Sequence, residues 1–210
     1  MPARGRLLAL EGIDGCGKST QAKALATHLD AVLTHEPGDT TLGRTLRQLL
    51  LAPDSPPISL RAEALLMAAD RAEHIATLIE PALSEGRWVV SDRFSGSTLA
   101  YQGYGRGLGI EGLKGMVEWA TDGLQPDLSL LIDVPVPVAQ QRLATFAPDR
   151  LERLGPDFAQ RVRDGFLAQA ADHPDQWAVI DGDTNVVSLT ARIVDVVHER
   201  LGYPKEPGAA

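Results

Sequence analysis

The sequence predicts an α/β fold in which helices cover both faces of a five-stranded parallel sheet, giving a three-layer α/β/α sandwich. Three observations lead to this prediction. Short apolar runs alternate with longer helix-like segments along the 210 residues, a glycine-rich loop follows the first run, and several later runs end in polar residues. Right-handed crossovers would bring the ends of these runs to one edge of the sheet. Because no linker or internal repeat divides the chain, residues 1–210 are expected to form a single domain.

The elements alternate in the order that a parallel sheet requires. The predicted strands are residues 7–10, 31–35, 87–92, 128–133 and 177–181. The predicted helices are residues 19–26, 42–51, 60–79 with Ser59 as the N-cap, 112–120, 136–146, 157–171 and 186–201. Residues 103–109 read as a glycine-rich loop, 147–155 as a charged connection and 202–210 as a frayed tail.

The loop after the first strand fits the phosphate-loop pattern G-x-x-x-x-G-K-[ST]. It reads Gly12-Ile13-Asp14-Gly15-Cys16-Gly17-Lys18-Ser19-Thr20. Its glycines allow consecutive backbone N–H groups to surround phosphate oxygens, and the following helix adds positive partial charge. We therefore expect these nine residues to bind ATP, with Lys18 on the β- and γ-phosphates and Ser19 as a ligand of Mg²⁺.

Asp92 and Arg93 follow the third apolar run and are expected at the same edge of the sheet. A carboxylate at this point would hold Mg²⁺ directly or through water. The Arg93 guanidinium can grip a phosphate and offset charge that moves between donor and acceptor oxygens. Without the phosphate loop, the pair would read as a solvated strand end.

Composition narrows the class of protein. The net charge of −8 argues against a general nucleic-acid or anionic-membrane surface. The single cysteine, Cys16, excludes an internal disulfide and fits a reducing compartment. No apolar run is long enough for a signal peptide or a membrane span. We expect a cytoplasmic protein that binds small molecules and neither nucleic acid nor membrane.

Beyond these residues, the sequence resembles bacterial thymidylate kinases from about Leu7 to Asp181. The resemblance is carried by the phosphate loop and by Glu36-Pro37-Gly38, Glu63-Ala64-Leu65-Leu66-Met67-Ala68-Ala69-Asp70-Arg71, Asp92-Arg93-Phe94 and Ser97-Thr98-Leu99-Ala100-Tyr101-Gln102-Gly103. It implies a P-loop nucleoside-monophosphate kinase fold with a mobile lid, usually as a homodimer. The implied reaction transfers the γ-phosphate of ATP to dTMP, with Mg²⁺, and gives dTDP.

The resemblance also assigns roles to individual residues. It implies an acceptor site formed by Asp14, Glu36, Pro37, Arg47, Met67, Arg71, Arg93, Ser97, Tyr101 and Gln102. Asp14 would bind the 3′-hydroxyl of the sugar, and Arg47 and Arg93 would hold the acceptor phosphate. Tyr101 would crowd the 2′ position and so favour deoxyribose.

Thymine would be recognised by Arg71 at O4, with Ser97 and Gln102 at the polar edge of the base. Arg71 offers only donors, so a 4-amino group such as that of cytosine would leave a buried donor unpaired. The family usually places a stacking aromatic residue where Met67 stands. Met67 therefore reads either as a platform for the base or as a plain core residue.

A lid over residues 142–155 is expected to supply a catalytic arginine. Some relatives carry this arginine in the phosphate loop, but position 15 here is Gly. Arg142, Arg150 and Arg153 flank or lie in the lid, with Arg150 as first choice and Arg153 as second. Lid closure would also exclude water from the reaction.

Chains with a phosphate loop also serve other functions. A related kinase that acts on a different nucleotide or nucleoside is the nearest alternative. A GTP-dependent switch would need an Asn-Lys-x-Asp segment, yet the only Asn, Asn185, is followed by Val186. A transport or DNA-handling subunit would need a signature such as Leu-Ser-Gly-Gly-Gln or a basic face, and the sequence has neither.

Overall fold

A computed structural model describes residues 3–145 and 147–203, and this part of the chain has the predicted α/β fold. Its five strands are β1 (Leu7–Glu11), β2 (Val32–His35), β3 (Val89–Asp92), β4 (Leu128–Asp133) and β5 (Trp177–Asp181). All of them are parallel and pair in the order β2-β3-β1-β4-β5. The carboxyl ends of β1 and β3 therefore lie side by side, which brings the phosphate loop next to Asp92.

Helices cover both faces of the sheet. They are α1 (Lys18–Leu29), α2 (Thr41–Leu51), α3 (Leu60–His74), α4 (Glu80–Ser84), α5 (Ser95–Thr98), α6 (Ile110–Thr121), α7 (Val136–Leu143), α8 (Pro156–Asp172) and α9 (Val186–Leu201). Two π-helical segments, Ile75–Ile79 and Leu99–Gly105, and a 3₁₀ turn, Glu152–Leu154, complete the described elements. Of the helices in residues 3–145 and 147–203, none has the length and apolarity needed to span a bilayer.

The core lies on the two faces of the central strand. Leu8 and Leu10 of β1 pack in one apolar cluster, whereas Leu7 and Ala9 pack in another with Phe94. Alternate residues of a strand point to opposite faces, so one short run supplies both layers of core. This rigid centre fixes the strand ends that carry the polar residues.

The long helix predicted over residues 60–79 begins as expected but changes its geometry. The Ser59 side chain accepts a hydrogen bond from the Ala62 N–H, which confirms the N-cap. From Ile75 the backbone widens into a π turn, and α4 then continues to Ser84. Pro81 lacks an N–H and its ring crowds the preceding turn of an α-helix, and the wider turn relieves this conflict.

The predicted loop over residues 103–109 is wrong at its start, because Gly103–Gly105 belong to the second π-helical segment. A Cβ on Gly105 would lie 2.6 Å from a ring carbon of Phe158, so close packing explains this glycine better than loop freedom does.

The helix predicted over residues 112–120 extends from Ile110 to Thr121. The helix predicted over residues 136–146 ends at Leu143, and residue 146 lies outside the described chain. Residues 204–210 of the predicted tail are also outside it.

Candidate active site

The phosphate loop joins β1 to α1 through three glycines with positive φ, Gly12 (145°), Gly15 (82°) and Gly17 (99°). A Cβ at position 15 would lie 2.4 Å from the carbonyl oxygen of Ala139, so this turn leaves no room for a side chain there. Lys18 opens α1, and its Nζ lies 3.3 Å from the carbonyl oxygen of Ile13 and 3.4 Å from Asp14 Oδ1. The ammonium is thus held over the loop that would surround the phosphates.

Asp92 faces the first turn of α1 from the end of β3. The Ser19 hydroxyl donates a hydrogen bond to Asp92 Oδ2. The other carboxylate oxygen, Oδ1, is buried and has no hydrogen-bond partner among the described residues. A buried oxygen without a donor is costly unless a cation or water satisfies it. The Ser19 and Asp92 oxygens therefore form a donor set that suits Mg²⁺.

Arg93 adopts a positive φ of 75°, which is uncommon for a residue other than glycine. This backbone turns its guanidinium toward the phosphate loop, where it donates to the Gly12 carbonyl oxygen at 3.1 Å. The same group donates to Ser97 Oγ at 3.0 Å, to Asp14 Oδ1 at 2.5 Å and to the Tyr101 hydroxyl at 2.9 Å. Arg93 therefore connects the loop to the segment after β3.

The charge of Asp14 depends on these neighbours. Burial alone would raise the pKa of its carboxyl, but the Arg93 guanidinium and the Lys18 ammonium hold that pKa well below its ordinary value. The Tyr101 hydroxyl donates to Asp14 Oδ2 at 2.7 Å. Asp14 is thus an ionised acceptor at the boundary between the phosphate loop and the cavity beyond it.

An open cavity lies between the sheet edge, α2, α3 and the residues around Asp149. Every residue that the resemblance assigned to the acceptor site lines it. They are Asp14, Glu36, Pro37, Arg47, Met67, Arg71, Arg93, Ser97, Tyr101 and Gln102. A second space in front of Lys18, Ser19 and Asp92 shares Asp14, Glu36, Arg47 and Arg93 with this cavity. The two spaces therefore meet at a group of charged side chains.

Arg71 is fixed in the wall of the cavity with only 3% of its surface exposed. Its Nε donates to Glu36 Oε2 at 2.8 Å, Nη1 donates to Thr98 Oγ1 at 2.9 Å, and Nη2 donates to the Phe94 carbonyl oxygen at 3.0 Å. A guanidinium has five N–H donors, so two remain for a bound molecule. The plane of this donor group is set before any ligand arrives.

Behind Arg71, a chain of buried polar groups supports Glu36. Glu36 Oε1 lies 2.9 Å from His74 Nδ1, and His74 Nε2 lies 2.6 Å from the Thr34 hydroxyl. Asp70 accepts from the Gly38 N–H at 3.1 Å, and burial together with the Glu36 charge raises the pKa of its carboxyl to about 6. The His74 contact holds Glu36, and through it Arg71, in one position.

The Tyr101 ring and the Met67 thioether contribute to the less polar walls of the cavity. Tyr101 packs edge-on against Phe158 and Phe166, with ring centroids 6.1 and 6.2 Å away, so its ring cannot easily move. Met67 is half-buried, lines the cavity and also packs against the main core. Both readings of Met67 therefore stay open. Leu51 and Leu151 add apolar surface.

The three arginines near the predicted lid lie in different surroundings. Arg142 donates to the Cys16 carbonyl oxygen of the phosphate loop at 3.2 Å. Arg150 donates to the Leu50 carbonyl oxygen and to Glu63 Oε2, both at 2.7 Å. Arg153 lies 3.4 Å from the Pro53 carbonyl oxygen on the surface. Arg150 and Arg153 line neither of the two spaces described above.

Sequence reasoning missed several buried carboxylates and the hydroxyl of Thr98. Glu11 accepts from the N–H groups of Phe94 and Ser97 and from the Ser97 hydroxyl. Burial raises the pKa of its carboxyl to about 7. On α3, a polar stripe at helical spacing is buried, and this 3.6-residue pattern was visible in the sequence. The stripe consists of Glu63, Asp70, Arg71 and His74.

The chain is similar in sequence to known proteins. A model of the thymidylate kinase family matches residues 10–193. The thymidylate kinase of Chromobacterium violaceum is 49% identical over 197 residues, which are 91% of this chain and 92% of that protein. The thymidylate kinase of Cupriavidus necator is 46% identical and covers 92% of this chain, with 98% of its own length matched.

A solved structure extends the similarity to the fold. The crystal structure of thymidylate kinase from Ehrlichia chaffeensis superposes with a TM-score of 0.77 at 30% identity. The match covers 92% of this chain and 99% of that one.

Proposed function

The chain belongs to the thymidylate kinase family, and on this premise we propose how its residues carry out phosphoryl transfer from ATP to dTMP. The chain is a dTMP kinase, an enzyme of nucleotide biosynthesis whose product is dTDP. One observation supports the assignment of roles: the acceptor cavity and the space in front of Lys18 meet at Asp14, Arg47 and Arg93. A donor phosphate and an acceptor phosphate bound in the two spaces would face each other there.

The donor side would hold the ATP phosphates mainly through fixed charge and backbone. The N–H groups of the phosphate loop and the N-terminus of α1 point toward the phosphates, and Lys18 reaches the β- and γ-oxygens. Phosphoryl transfer requires positioning and charge stabilisation more than a strong base. The preorganised loop therefore supplies much of what the reaction needs.

Mg²⁺ is the proposed cofactor, with Ser19 and Asp92 as its protein ligands. The unpartnered Oδ1 of Asp92 supports this, because a cation or its water would satisfy that oxygen. When bound, Mg²⁺ would neutralise charge on the β- and γ-phosphates. Asp92 and the Ser19 hydroxyl already touch, so the two ligands are positioned together by β3 and α1.

The acceptor side would bind dTMP through side chains. Arg93 and Arg47 would hold its phosphate, and Asp14 would accept from the 3′-hydroxyl. The Arg47 side chain is anchored by a 2.7 Å hydrogen bond to the Pro37 carbonyl oxygen. The packed Tyr101 ring would exclude a 2′-hydroxyl. Binding both reactants in fixed orientation removes much of the entropic barrier to transfer.

Thymine would be selected by Arg71, Ser97 and Gln102. The two free donors of Arg71 would meet O4, and the buried Glu36 keeps this guanidinium in place. A 4-amino group in the same position would leave these donors unpaired and would itself lack an acceptor. Glu36 and Pro37 would close the side of the cavity next to the sugar and phosphate.

A lid arginine would complete the site by reaching over the transferring phosphoryl group. Arg150 remains first choice and Arg153 second, although Arg150 would have to leave Glu63 and the Leu50 carbonyl oxygen to reach the transferring phosphoryl group. Alanine variants of Arg142, Arg150 and Arg153 would show which of the three arginines acts in catalysis. The catalytic arginine is the one whose loss lowers kcat by about 10³-fold.

We also propose that the enzyme is a cytoplasmic homodimer. Leu65 on α3 and Trp119 on α6 are 59% and 86% exposed, and these two helices pack against each other. A second copy of the chain would cover them. Sedimentation should give a mass twice that of one chain, and Trp119→Glu should shift the protein toward the monomer. A wild type that stays monomeric at high concentration would contradict the proposed dimer.

The test of the proposed function is a panel of acceptors. Purified protein with Mg-ATP should phosphorylate dTMP at least 10²-fold faster than dCMP, AMP or GMP. The bases of those three nucleotides do not match the hydrogen-bonding groups around the cavity. Equal rates across the panel would overturn the proposed base recognition.

A further inference from the structure

Glu63 is a fully buried carboxylate on α3 that lies outside the acceptor cavity but touches one of its walls. Its side chain is 0% exposed. Oε1 accepts from Gln102 Nε2 and from Arg106 Nε, both at 3.1 Å. Oε2 accepts from Arg106 Nη2 and Arg150 Nη2, both at 2.7 Å. Two cations and an amide thus surround one carboxylate.

These partners keep Glu63 ionised. Burial by itself would raise the pKa of the Glu63 carboxyl, but the hydrogen bonds from Arg106 and Gln102 and the charges of Arg106 and Arg150 lower it. Arg106 makes a two-pronged contact, which is the geometry that fixes a carboxylate most firmly. Glu63 is therefore an acceptor with a fixed direction.

An ionised carboxylate can only accept hydrogen bonds, so it dictates which end of the Gln102 amide faces it. The NH₂ end must point to Glu63, and the carbonyl oxygen Oε1 must point away. The reversed amide would set two oxygens against each other in a buried place, which is costly. Gln102 is 1% exposed, lines the acceptor cavity, and its Oε1 accepts no hydrogen bond from the described residues. This oxygen is left for a molecule in the cavity.

The direction of this amide matters for a pyrimidine. Thymine presents a donor, N3–H, whereas cytosine presents a lone pair at N3. A carbonyl oxygen at that edge pairs with thymine and repels cytosine, but a freely turning amide would suit either base. We propose that Glu63 is a positioning residue that locks the Gln102 amide with its carbonyl oxygen toward N3–H. The proposal rests on the base-reading role of Gln102 within the proposed function.

Selectivity against cytosine would then depend on a residue that never touches the substrate. The experiment compares kcat/KM for dTMP, dCMP and dUMP in the wild type, Glu63→Gln, Gln102→Ala and the double variant. In Glu63→Gln, the amide at position 63 can donate a hydrogen bond as well as accept one. The Gln102 amide can then face position 63 with either its NH₂ group or its carbonyl oxygen. The dTMP:dCMP ratio should fall about tenfold, as for loss of one discriminating hydrogen bond. The dTMP:dUMP ratio should not change, because the two bases share the same N3 edge.

The double variant shows whether Glu63 acts through Gln102. Once Gln102 is alanine, Glu63→Gln should lower the dTMP:dCMP ratio no further, which is the non-additivity expected of a coupled pair. Glu118→Gln on the exposed face of α6 is the matched control and should leave both ratios unchanged. If Glu63→Gln does not fold, Glu63→Asp keeps the charge between Arg106 and Arg150 but shortens the reach to Gln102. It should lower the same ratio.

The outcomes separate this inference from the proposed function. An unchanged dTMP:dCMP ratio in the Glu63 variants, an equal loss for all three acceptors, or additive effects in the double variant would each overturn the role of Glu63. Any of these can occur while Gln102→Ala still lowers the dTMP:dCMP ratio, which leaves the proposed base reading intact. If Gln102→Ala leaves the ratio unchanged, both the base-reading role of Gln102 and the role of Glu63 fail. A wild type without preference for dTMP overturns the proposed function itself.

Discussion

The two sides of the active-site cleft are built in different ways. The donor side comes from one contiguous loop and the first turn of α1, with Asp92 added by the neighbouring strand. The acceptor side takes side chains from the turn after β2, from α2 and α3, and from the helical segments after β3, which are far apart in the sequence. The donor side is therefore a local structure, whereas the acceptor side exists only in the folded chain.

The chemistry of the two sides differs accordingly. Backbone groups and glycine geometry dominate the phosphate loop, so its function follows from the pattern itself. On the acceptor side, buried charges hold other charges in place, as Glu36 holds Arg71 and Arg106 holds Glu63. Changes behind the cavity wall are thus expected to alter substrate selection, while the donor side should respond mainly to changes in the loop.

The largest effect is expected for a change on the phosphate-donor side of the cleft, which binds ATP. Lys18→Ala should lower kcat by about 10⁴-fold, because the ammonium on the β- and γ-phosphates is lost from a preorganised site. Steady-state kinetics measure the loss, and circular dichroism checks that the fold is kept. Lys23→Ala, an exposed lysine on the same helix, is the control and should retain full activity. Substantial turnover by Lys18→Ala would remove Lys18 from its role.

The next largest effect lies where the two sides meet. Arg93→Lys keeps the charge but loses the forked contacts to Gly12, Asp14 and Ser97. We expect kcat/KM for dTMP to fall by about 10²–10³-fold. The exposed Arg87→Lys should behave as wild type. A variant with normal kinetics for both substrates would show that Arg93 only links structural elements.

A pH measurement tests the buried support of the acceptor side. The pKa of Glu11 is raised by burial from 4.5 to about 7, so the folded state binds more protons than the unfolded state between these values. The contribution of Glu11 to stability is then present below about pH 4.5 and falls as the pH rises toward 7. Glu11→Gln removes this dependence.

Urea unfolding at several pH values isolates the effect of Glu11. The free energy of unfolding of the wild type relative to Glu11→Gln should decrease by about 3 kcal/mol from pH 4.5 to above pH 7, since contributions of other groups cancel. The free energy of unfolding of the control Glu118→Gln should change with pH in parallel with that of the wild type. If the free energy of unfolding of Glu11→Gln also changes in parallel with the wild type, Glu11 has an ordinary pKa.

The smallest effect is expected at Met67, which either stacks on the base or belongs to the core. Met67→Phe should lower KM for dTMP about threefold without changing kcat, because an aromatic ring stacks better on thymine than a thioether does. Met116→Phe, a half-buried position on α6, should leave KM unchanged. If Met67→Phe changes the melting temperature but not KM, Met67 is a core residue and not a platform.

Much of the fold was predictable because its signals are local. The strand ranges agree with the prediction to within two residues at each end, since buried parallel strands form continuous apolar runs. No helix was predicted over Ser95–Gly105, and its last three residues were assigned to a glycine-rich loop, whereas packing against α8 makes the segment helical. The π turn before Pro81 was missed because it settles a conflict between neighbouring turns that no single residue reveals.

The resemblance named the acceptor residues, but not the groups that hold them. Arg71 and Gln102 could be named from the sequence, whereas Thr98 and Arg106 could not, because they act through contacts between distant segments. The buried polar stripe on α3 was a usable signal. It indicates a helix that faces a polar site instead of an apolar core.

The sequence by itself determined the phosphate loop, the parallel sheet and the place of Asp92 and Arg93 at its edge, because backbone geometry and apolar periodicity operate over a few residues. Only the tertiary structure decided which charges face each other across the acceptor cavity. Pairings such as Glu63 with Arg106, Arg150 and Gln102 join residues 39 to 87 positions apart in the sequence. Such contacts depend on how whole helices pack, and no local pattern encodes that packing.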